Sequence, residues 1–385
     1  MKQIEHNFWE NEPSISETLL LSISIFVIFI SFVSIFDNYF AQIQVRGENP
    51  HFVMVAESLL KRDFESIQFF YIKRIFLGFP LAIILVSILP FFDFFSALVV
   101  LSISCSLITQ YYCHRLWGGW VACAFAILNW DWMQRSIVGG NEPLFMALLL
   151  GGFYAYRKNR CFLAIILAAL STIVRPVGLL ALMAFGMDLL LRKEYRSFFI
   201  SFLIAATFGI FYVAILNLVW GSPSAHFGPV IDQGISKLQG NLEYTMFTAP
   251  FVNLYISFIE NYLHEMHVIT HIKISAWFIL TIIGIIAMFK NKLFYNYIQQ
   301  NPAEVFFCIL YLLFIFTYNS ARWWWYLYPR YIIPVLPFLY FALLPYVFKD
   351  RRFIWVIGTL FAALGGASSI NVYLLWERFQ VFISS

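Results

Sequence analysis

The chain has 385 residues, of which 61% are hydrophobic and only 12% are charged. This charged fraction is about half that of a typical soluble domain, so the composition excludes a soluble globular protein and predicts a polytopic membrane protein. The net charge of +4 arises mostly in short loops. No basic run is long enough to follow a phosphate backbone, which excludes nucleic acid as a partner.

The cysteines and the N-terminal segment carry little further information. The five cysteines are scattered and form no CxxC motif, so neither a disulfide framework nor a zinc site is predicted. Residues 1–17 are acidic and lack the basic start of a signal peptide. We therefore expect the first apolar run to be retained as a membrane span.

Apolar runs close to the length that a membrane-spanning helix needs recur along the chain. They centre on 18–36, 94–112, 117–134, 142–155, 197–219, 274–289, 303–318, 331–348 and 353–370. The prolines of segment 76–93 leave it open between one more span and a juxtamembrane or re-entrant helix. Region 161–191 is broken by TIVRPVG, which predicts two short helices that meet at this turn. The predicted fold class is all-α, a single integral membrane domain over residues 1–385 with about ten to twelve transmembrane helices.

The distribution of lysine and arginine orients the chain. From residue 113 onward these residues are concentrated in alternate loops, which assigns those loops to the cytoplasm. Segment 220–272 is then a large extracytoplasmic loop, and SARWWWYLYPRY lies on the same face, where tryptophan and tyrosine typically form a belt. The mixed charge of loop 37–75 leaves the orientation of the N-terminal third open.

The stretch RGENPHFVMVAES, residues 46–58, begins an amphipathic segment. Phe52, Val55 and Ala56 recur at helical spacing, which predicts an interfacial helix lying on the membrane after the first span. Glu48 precedes the start of this helix, where backbone N–H groups favour a carboxylate. From chemistry alone, Glu48 either caps the helix or has a functional role.

Several stretches resemble a known enzyme family. GENPHFVMVAESLL, SIVGGNEPLFMALLL and STIVRPVGLL resemble, in this order, segments of the GPI-anchor mannosyltransferase family that adds the second mannose, and of its bacterial relatives. YPRYIIPVLPFLYFAL resembles a late segment common in GT-C glycosyltransferases, the class to which that family belongs. On these patterns Glu48 stands where the family carries an aspartate, and His51 begins its His–aromatic pair. Glu142 and Arg175 fall on its acidic and basic positions, and Arg330 falls on the late arginine.

The resemblance implies a GT-C-like fold with its active site on the extracytoplasmic side. Loop 37–75 then lies outside, as the first extracytoplasmic loop with a juxtamembrane helix, and 76–93 is partly or wholly non-spanning. The implied reaction transfers a hexose, mannose in the family, from a polyprenyl-phosphate sugar to a glycan, lipid or protein acceptor. The sequence assigns no cofactor and leaves a divalent cation open. The absence of long eukaryotic-style insertions favours a prokaryotic plasma membrane.

The implied reaction needs a carboxylate that accepts the acceptor's proton and cations that balance the leaving phosphate. The predicted catalytic residues are Glu48 as base, Asp37 as the second choice, and His51. The predicted substrate-binding residues are Glu142, Arg175, Arg330 and Arg322. Arg175 is the strongest of the arginines, because it lies in an apolar segment and cannot lose its proton. No metal ligand is assigned, and HEMH lacks the spacing of the HExxH zinc motif.

Two other functions stay open. A secondary transporter or flippase of lipid-linked sugars would use the same spans and the same buried charges. Transporters tend to carry interrupted helices at corresponding positions of two halves, and the sequence shows one interrupted region, 161–191, without a counterpart. A different lipid-linked transferase, such as an oligosaccharide ligase, would use similar chemistry.

Overall fold

The computed structural model describes residues 12–36, 44, 48–68, 70–73, 75–222, 268–290, 292–317 and 324–347. These residues are almost entirely helical, and no β-strand occurs among them. The helices are α1 (Ile15–Phe36), α2 (Asn49–Lys61), α3 (Phe70–Lys73), α4 (Gly78–Ser87), α5 (Phe94–Trp117), α6 (Gly119–Ile127), α7 (Trp130–Ile137), α8 (Glu142–Arg157), α9 (Cys161–Val174), α10 (Leu179–Leu191), α11 (Tyr195–Trp220), α12 (Val268–Lys290), α13 (Lys292–Gln300), α14 (Pro302–Thr317), α15 (Trp324–Tyr331) and α16 (Leu336–Val347). The all-α prediction is confirmed for this part of the chain.

Helix length and composition identify a membrane protein. Within the described ranges, α5 and α11 are each long and apolar enough to cross a bilayer. Two bent pairs pass the same test if each pair is one span: Asp131–Ile137 with Glu142–Arg157, at 104°, and Ile274–Lys290 with Phe294–Gln300, at 77°. Six further apolar helices are shorter. The larger number of spans stays a prediction, and the expected span at 353–370 lies outside the described residues.

The run 117–134, predicted as one span, is instead two short helices. α5 ends at Trp117 because Gly118 adopts a positive φ of 92°, a conformation that L side chains disfavour. α6 then lasts nine residues. Asn129 starts α7 by accepting a hydrogen bond from the Trp132 backbone N–H, at 2.9 Å.

Region 161–191 confirms the prediction of two short helices that meet at TIVRPVG. α9 ends at Val174, and Arg175 takes the extended conformation that a residue before proline prefers. Pro176 begins a 3₁₀ turn, after which α10 starts at Leu179.

Segment 76–93 contains one helix, α4, of ten residues. Such a helix is about 15 Å long, roughly half the hydrocarbon thickness of a bilayer. Its length favours the non-spanning alternative.

The predicted amphipathic helix is α2, but lipid does not cover its apolar face. Phe52, Val55 and Ala56 are buried in the protein core, where α2 packs against α4 and α5. The rings of Phe52 and Phe79 meet edge to face, with centroids 5.0 Å apart. The amphipathic helix is confirmed, but its apolar face packs on α4 and α5, and its position on the membrane stays a prediction.

Candidate functional site

The α7–α8 hairpin is the framework of the candidate site. The two helices meet at a bend of 104°, and the turn between them contains Gly139 at φ +110°. A Cβ built at Gly139 would lie 2.1 Å from Leu98 Cδ2, so only glycine fits this turn. A Cβ at Gly140 would lie 2.9 Å from Arg135 Cδ and 2.8 Å from Glu142 Oε2. The hairpin thus places Arg135 and Glu142 on either side of Gly140.

Glu142 is the buried centre of the site. It occupies the first position of α8, where the helix dipole favours a carboxylate, and its side chain is 1% exposed. Its Oε1 accepts hydrogen bonds from Arg330 Nε and from Arg175 Nη1, the latter at 3.2 Å. Its Oε2 accepts no hydrogen bond from any residue that the structure describes.

Arg175 reaches the site because the helix breaks there. Pro176 forces the extended backbone at Arg175, and the side chain leaves the α9–α10 junction to meet Glu142. Its guanidinium carbon lies 5.7 Å from the centroid of the Phe145 ring, a cation–π distance. The side chain is 14% exposed, so the carboxylate and the ring together compensate most of its lost hydration.

Arg330, near the end of α15, joins both carboxylates. Besides its bond to Glu142, its Nη2 lies 3.2 Å from Glu48 Oε2. Asn129 holds the adjoining backbone, because its side-chain amide donates to the Pro329 carbonyl at 3.2 Å. The residue that caps α7 therefore also fixes the segment that carries Arg330.

Glu48 is the accessible carboxylate of the site, with a side chain 40% exposed. It occupies the N-cap position of α2, but its side chain accepts no hydrogen bond from the helix N–H groups. Its partial burial would raise its pKa, but the guanidinium groups of Arg330 and Arg135 outweigh burial and hold the pKa of Glu48 below its ordinary value of 4.5. Glu48 is therefore ionised at neutral pH, and its carboxylate pairs with Arg330 instead of accepting from the helix N–H groups.

Asn49 anchors the start of α2 to the hairpin. This buried side chain donates from its Nδ2 to the Val138 carbonyl at 2.9 Å. Glu48 is the preceding residue, so this bond fixes the position from which its carboxylate reaches Arg330.

We call the five residues Glu48, Arg135, Glu142, Arg175 and Arg330 the ion cluster. Four of them were predicted from the sequence as site residues, and they come from four separated segments. His51 lies in the first turn of α2, partly exposed, and its imidazole forms no hydrogen bond to the described residues. Asp37 and Arg322 lie outside the described residues.

The sequence reasoning missed Arg135. The sequence assigned Arg175, Arg322 and Arg330 to the site but not this residue. The polar stretch WDWMQRSI, within an otherwise apolar run, was the available signal. It forms a short, strongly amphipathic helix, whereas an uninterrupted membrane span would be apolar all round. Arg330, Glu142, Glu48 and Asp131 all act on Arg135 electrostatically, Arg330 most strongly.

A second polar network lies at the opposite end of α8. Arg157 binds the carboxylate of Glu304 with its Nε at 2.5 Å and its Nη2 at 2.8 Å. The Tyr297 hydroxyl donates to the same carboxylate and accepts from Trp117 Nε1, at 2.8 Å. We call Trp117, Arg157, Tyr297 and Glu304 the α8 C-terminal network. In this network Arg157 and Glu304 neutralise each other, so its role is to stabilise the fold.

An apolar cavity of about 560 Å³ lies between α9, α10 and α11. Its lining includes Ile173 at the end of α9 and Phe202 on α11, which is 59% exposed. The lining on α9 runs from Ile165 to Ile173, two residues before Arg175 in the sequence, and continues along α10 from Leu179 to Leu190. Its walls are almost wholly apolar, so a hydrocarbon chain fits it better than a polar ligand.

No group of three or more histidine, cysteine, aspartate or glutamate side chains that could hold a metal ion occurs within the described ranges. Comparisons of the chain with protein-family models, curated proteins and solved structures give no match.

Proposed function

We propose that the chain is a membrane glycosyltransferase of the GT-C class. It transfers a hexose from a polyprenyl-phosphate sugar to a hydroxyl group of a glycan, lipid or protein acceptor, on the extracytoplasmic side of a prokaryotic plasma membrane. One observation carries the proposal: the partly exposed, ionised Glu48 shares a cluster with three arginines that the fold collects from distant segments.

Glu48 supplies the base. As the acceptor oxygen attacks the anomeric carbon, its proton passes to the Glu48 carboxylate, the new C–O bond forms, and the bond from the anomeric carbon to the phosphate oxygen breaks. The bonding electron pair leaves with the phosphate. Its negative charge is balanced by arginines that are already in place, so little reorganisation is needed during the reaction.

Glu142 acts through the arginines. With a side chain 1% exposed, it cannot touch a substrate without a rearrangement of the hairpin. Its carboxylate sets the positions of Arg175 and Arg330, so in this proposal it is a positioning residue.

The cavity between α9, α10 and α11 supports the lipid part of the proposal. A polyprenyl chain needs an apolar cavity that it can enter from the surface, and Phe202 of α11 both lines this cavity and is 59% exposed. Ile173 of the lining lies two residues before Arg175, so a chain bound in the cavity could extend its phosphate toward the ion cluster.

A transporter or flippase remains the rival, since bent helix pairs and buried charges occur in transporters as well. The two functions differ in whether the bond between sugar and phosphate is broken. Membranes containing the protein are incubated with undecaprenyl phosphate carrying radiolabelled mannose or glucose. We expect label to enter an acceptor fraction with equimolar release of undecaprenyl phosphate, and the Glu48→Gln variant to abolish both.

The rival predicts that the intact labelled donor crosses the bilayer without release of undecaprenyl phosphate. That result, or the absence of release with both donors, overturns the proposed function. Equal release by Glu48→Gln and the unaltered protein would remove Glu48 as the base.

A further inference from the structure

The arginines of the ion cluster differ in how far their charges are already compensated. Arg330 contacts two carboxylates, and Arg175 contacts Glu142 and the Phe145 ring. A phosphate that bound these two arginines would compete with buried ion pairs, and leaving one partner of such a pair uncompensated is costly.

Arg135 is the exception. Its guanidinium forms no ion pair and no hydrogen bond with any residue that the structure describes. It is partly buried on α7 and presents up to five N–H donors that cannot be removed by deprotonation. A guanidinium in this position requires an anion or water.

The surroundings of Arg135 favour an anion. The charge that acts most strongly on it is the like charge of Arg330, ahead of the attraction of Glu142, Glu48 and Asp131. Two neighbouring guanidinium groups repel each other, and a phosphate bound to Arg135 offsets that repulsion without displacing the carboxylates that pair with Arg330. The planar fork of Arg135 matches two phosphate oxygens at once.

The backbone holds Arg135 in place for this role. Its aliphatic stem packs against Gly140, with Cδ 2.9 Å and Cβ 3.3 Å from where a glycine Cβ would be. Glu142 Oε2 lies 2.8 Å from the same Cβ position of Gly140. The close packing at Gly140 thus fixes the stem of Arg135 beside Glu142.

We propose that Arg135 is the residue that binds the phosphate of the lipid-linked ligand, while Arg175 and Arg330 hold the carboxylates in place. The inference rests on the proposed function for the identity of the ligand, a prenyl phosphate ester. Binding itself requires neither a sugar nor a transfer reaction.

The test uses the purified full chain in detergent and two probes of equal chain length, farnesyl phosphate and the neutral farnesol. Affinity is measured by quenching of tryptophan fluorescence for the unaltered protein, Arg135→Gln, Arg135→Lys and the control Arg115→Gln. Arg115 is exposed at the end of α5, far from the cluster along the fold, and its loss changes the net charge equally.

We expect the unaltered protein to bind farnesyl phosphate more tightly than farnesol. Arg135→Gln should weaken farnesyl phosphate binding about 10- to 100-fold, the equivalent of a charge-assisted hydrogen bond pair, and leave farnesol binding unchanged. Arg135→Lys, which keeps the charge but loses the fork, should fall between. Arg115→Gln should bind both probes as the unaltered protein does.

Equal affinity of the unaltered protein for both probes overturns the proposal, as does unchanged farnesyl phosphate binding in Arg135→Gln. If Arg135→Gln also loses farnesol, its fold is affected, and Arg135→Lys decides. In that variant, weakened binding of farnesyl phosphate with intact farnesol binding supports the proposal, and any other result overturns it. Inorganic phosphate that binds as tightly as farnesyl phosphate contradicts a lipid-linked ligand.

The two proposals fail separately. Arg135-dependent binding without sugar transfer from any donor would remove the glycosyltransferase and keep the anion site. Sugar transfer with full activity in Arg135→Gln would remove the anion site at Arg135 and keep the glycosyltransferase.

Discussion

Glu142 accepts a hydrogen bond from Arg330, which lies 188 residues further along the chain. The same oxygen also accepts from Arg175, 33 residues further along. One carboxylate oxygen thus joins the start of α8, the α9–α10 junction and the end of α15. Because these three elements meet nowhere else through charged groups that the structure describes, Glu142 determines how they fit together.

Substitution of Glu142 should therefore be strongly destabilising. Glu142→Gln keeps the side-chain volume but removes the charge, which leaves Arg175 and Arg330 largely buried with 14% and 13% of their side chains exposed. We expect the free energy of unfolding to fall by about 3–5 kcal/mol, as for the loss of one partner from a buried ion pair. Unfolding of the purified protein in mixed micelles, followed by tryptophan fluorescence, measures this change.

The matched control is Glu57→Gln. Glu57 pairs with Lys61 at 3.3 Å, but both side chains are exposed, at 41% and 69%. An exposed pair contributes about 0–1 kcal/mol, so this variant should be nearly as stable as the unaltered protein. Equal stability of Glu142→Gln and Glu57→Gln would show that Glu142 does not hold the elements together.

The lowered pKa of Glu48 predicts how activity depends on pH. A base must be deprotonated to act, and Arg330 and Arg135 favour the charged form of Glu48 more than burial disfavours it. The acid limb of the sugar-transfer rate should therefore have its midpoint below 4.5, the ordinary glutamate value. Glu48 also stabilises the folded protein in a pH-dependent way. This contribution is present above the pKa that Glu48 has in the unfolded chain, and it is lost as the pH falls through its lower pKa in the folded protein.

Arg330→Gln should move this acid limb to higher pH, because it removes the strongest attraction on the Glu48 carboxylate. Arg115→Gln, which removes a charge elsewhere, should leave the limb in place. Profiles of the sugar-transfer rate against pH for the unaltered protein and the two variants measure the midpoint of this acid limb. A midpoint above 4.5 in the unaltered protein, or no shift in Arg330→Gln, contradicts the role of Glu48 as the titrating base.

The sequence predicted the grouping of charges better than the course of the helices. Glu48, Glu142, Arg175 and Arg330 could be brought together in advance because hydrocarbon tolerates such groups only where they meet one another or water. The break at Arg175 was equally visible, since Pro176 restricts the backbone before it.

The helix boundaries near the site could not be predicted in the same way. The apolar part of run 117–134 shows no helical periodicity, so the break at Gly118 gave no sign in the sequence. The polar stretch WDWMQRSI did signal a short amphipathic helix after Asn129, but the cap that starts this helix and the turn that follows it are visible only in three dimensions. Arg135 was missed because that turn, and not the helix itself, sets its neighbours.

The α8 C-terminal network offers a test of stability at a distance from the site. The Tyr297 hydroxyl accepts from Trp117 Nε1 at 2.8 Å and from Arg157 Nη2 at 3.0 Å. Tyr297→Phe leaves these donors short of an acceptor in the interior, so we expect a loss of about 1–3 kcal/mol in the free energy of unfolding. Farnesyl phosphate binding should not change, because α8 separates this network from the ion cluster by about 22 Å, the length of fifteen helical steps.

Tyr295→Phe is the control for Tyr297→Phe. Tyr295 lies on the same helix, α13, but is 62% exposed, and such surface changes usually stay within about 0.5 kcal/mol. A comparable loss of unfolding free energy in both variants would mean that the loss does not come from the hydrogen bonds of Tyr297 in the network. Weakened farnesyl phosphate binding in Tyr297→Phe alone would mean that the two ends of α8 are coupled.

Gly139 should be the residue of the α7–α8 turn least tolerant of change. Gly139→Ala places a Cβ at φ +110° and 2.1 Å from Leu98 Cδ2, so the backbone must leave its position or Leu98 must move. We expect a loss of about 1–3 kcal/mol in the free energy of unfolding from the backbone conformation alone. Because the turn carries both Arg135 and Glu142, farnesyl phosphate binding should weaken as well.

Gly209→Ala is the control for the free energy of unfolding: its Cβ would meet nothing within 4 Å, and alanine in a helix interior should stabilise by about 0.5–1 kcal/mol. The double variant Gly139→Ala with Leu98→Ala separates the two causes, since it removes the clash and keeps the unfavourable φ. Full recovery of binding in the double variant would assign the defect to the clash, whereas a Gly139→Ala protein as stable as the unaltered one would show that the turn does not require glycine.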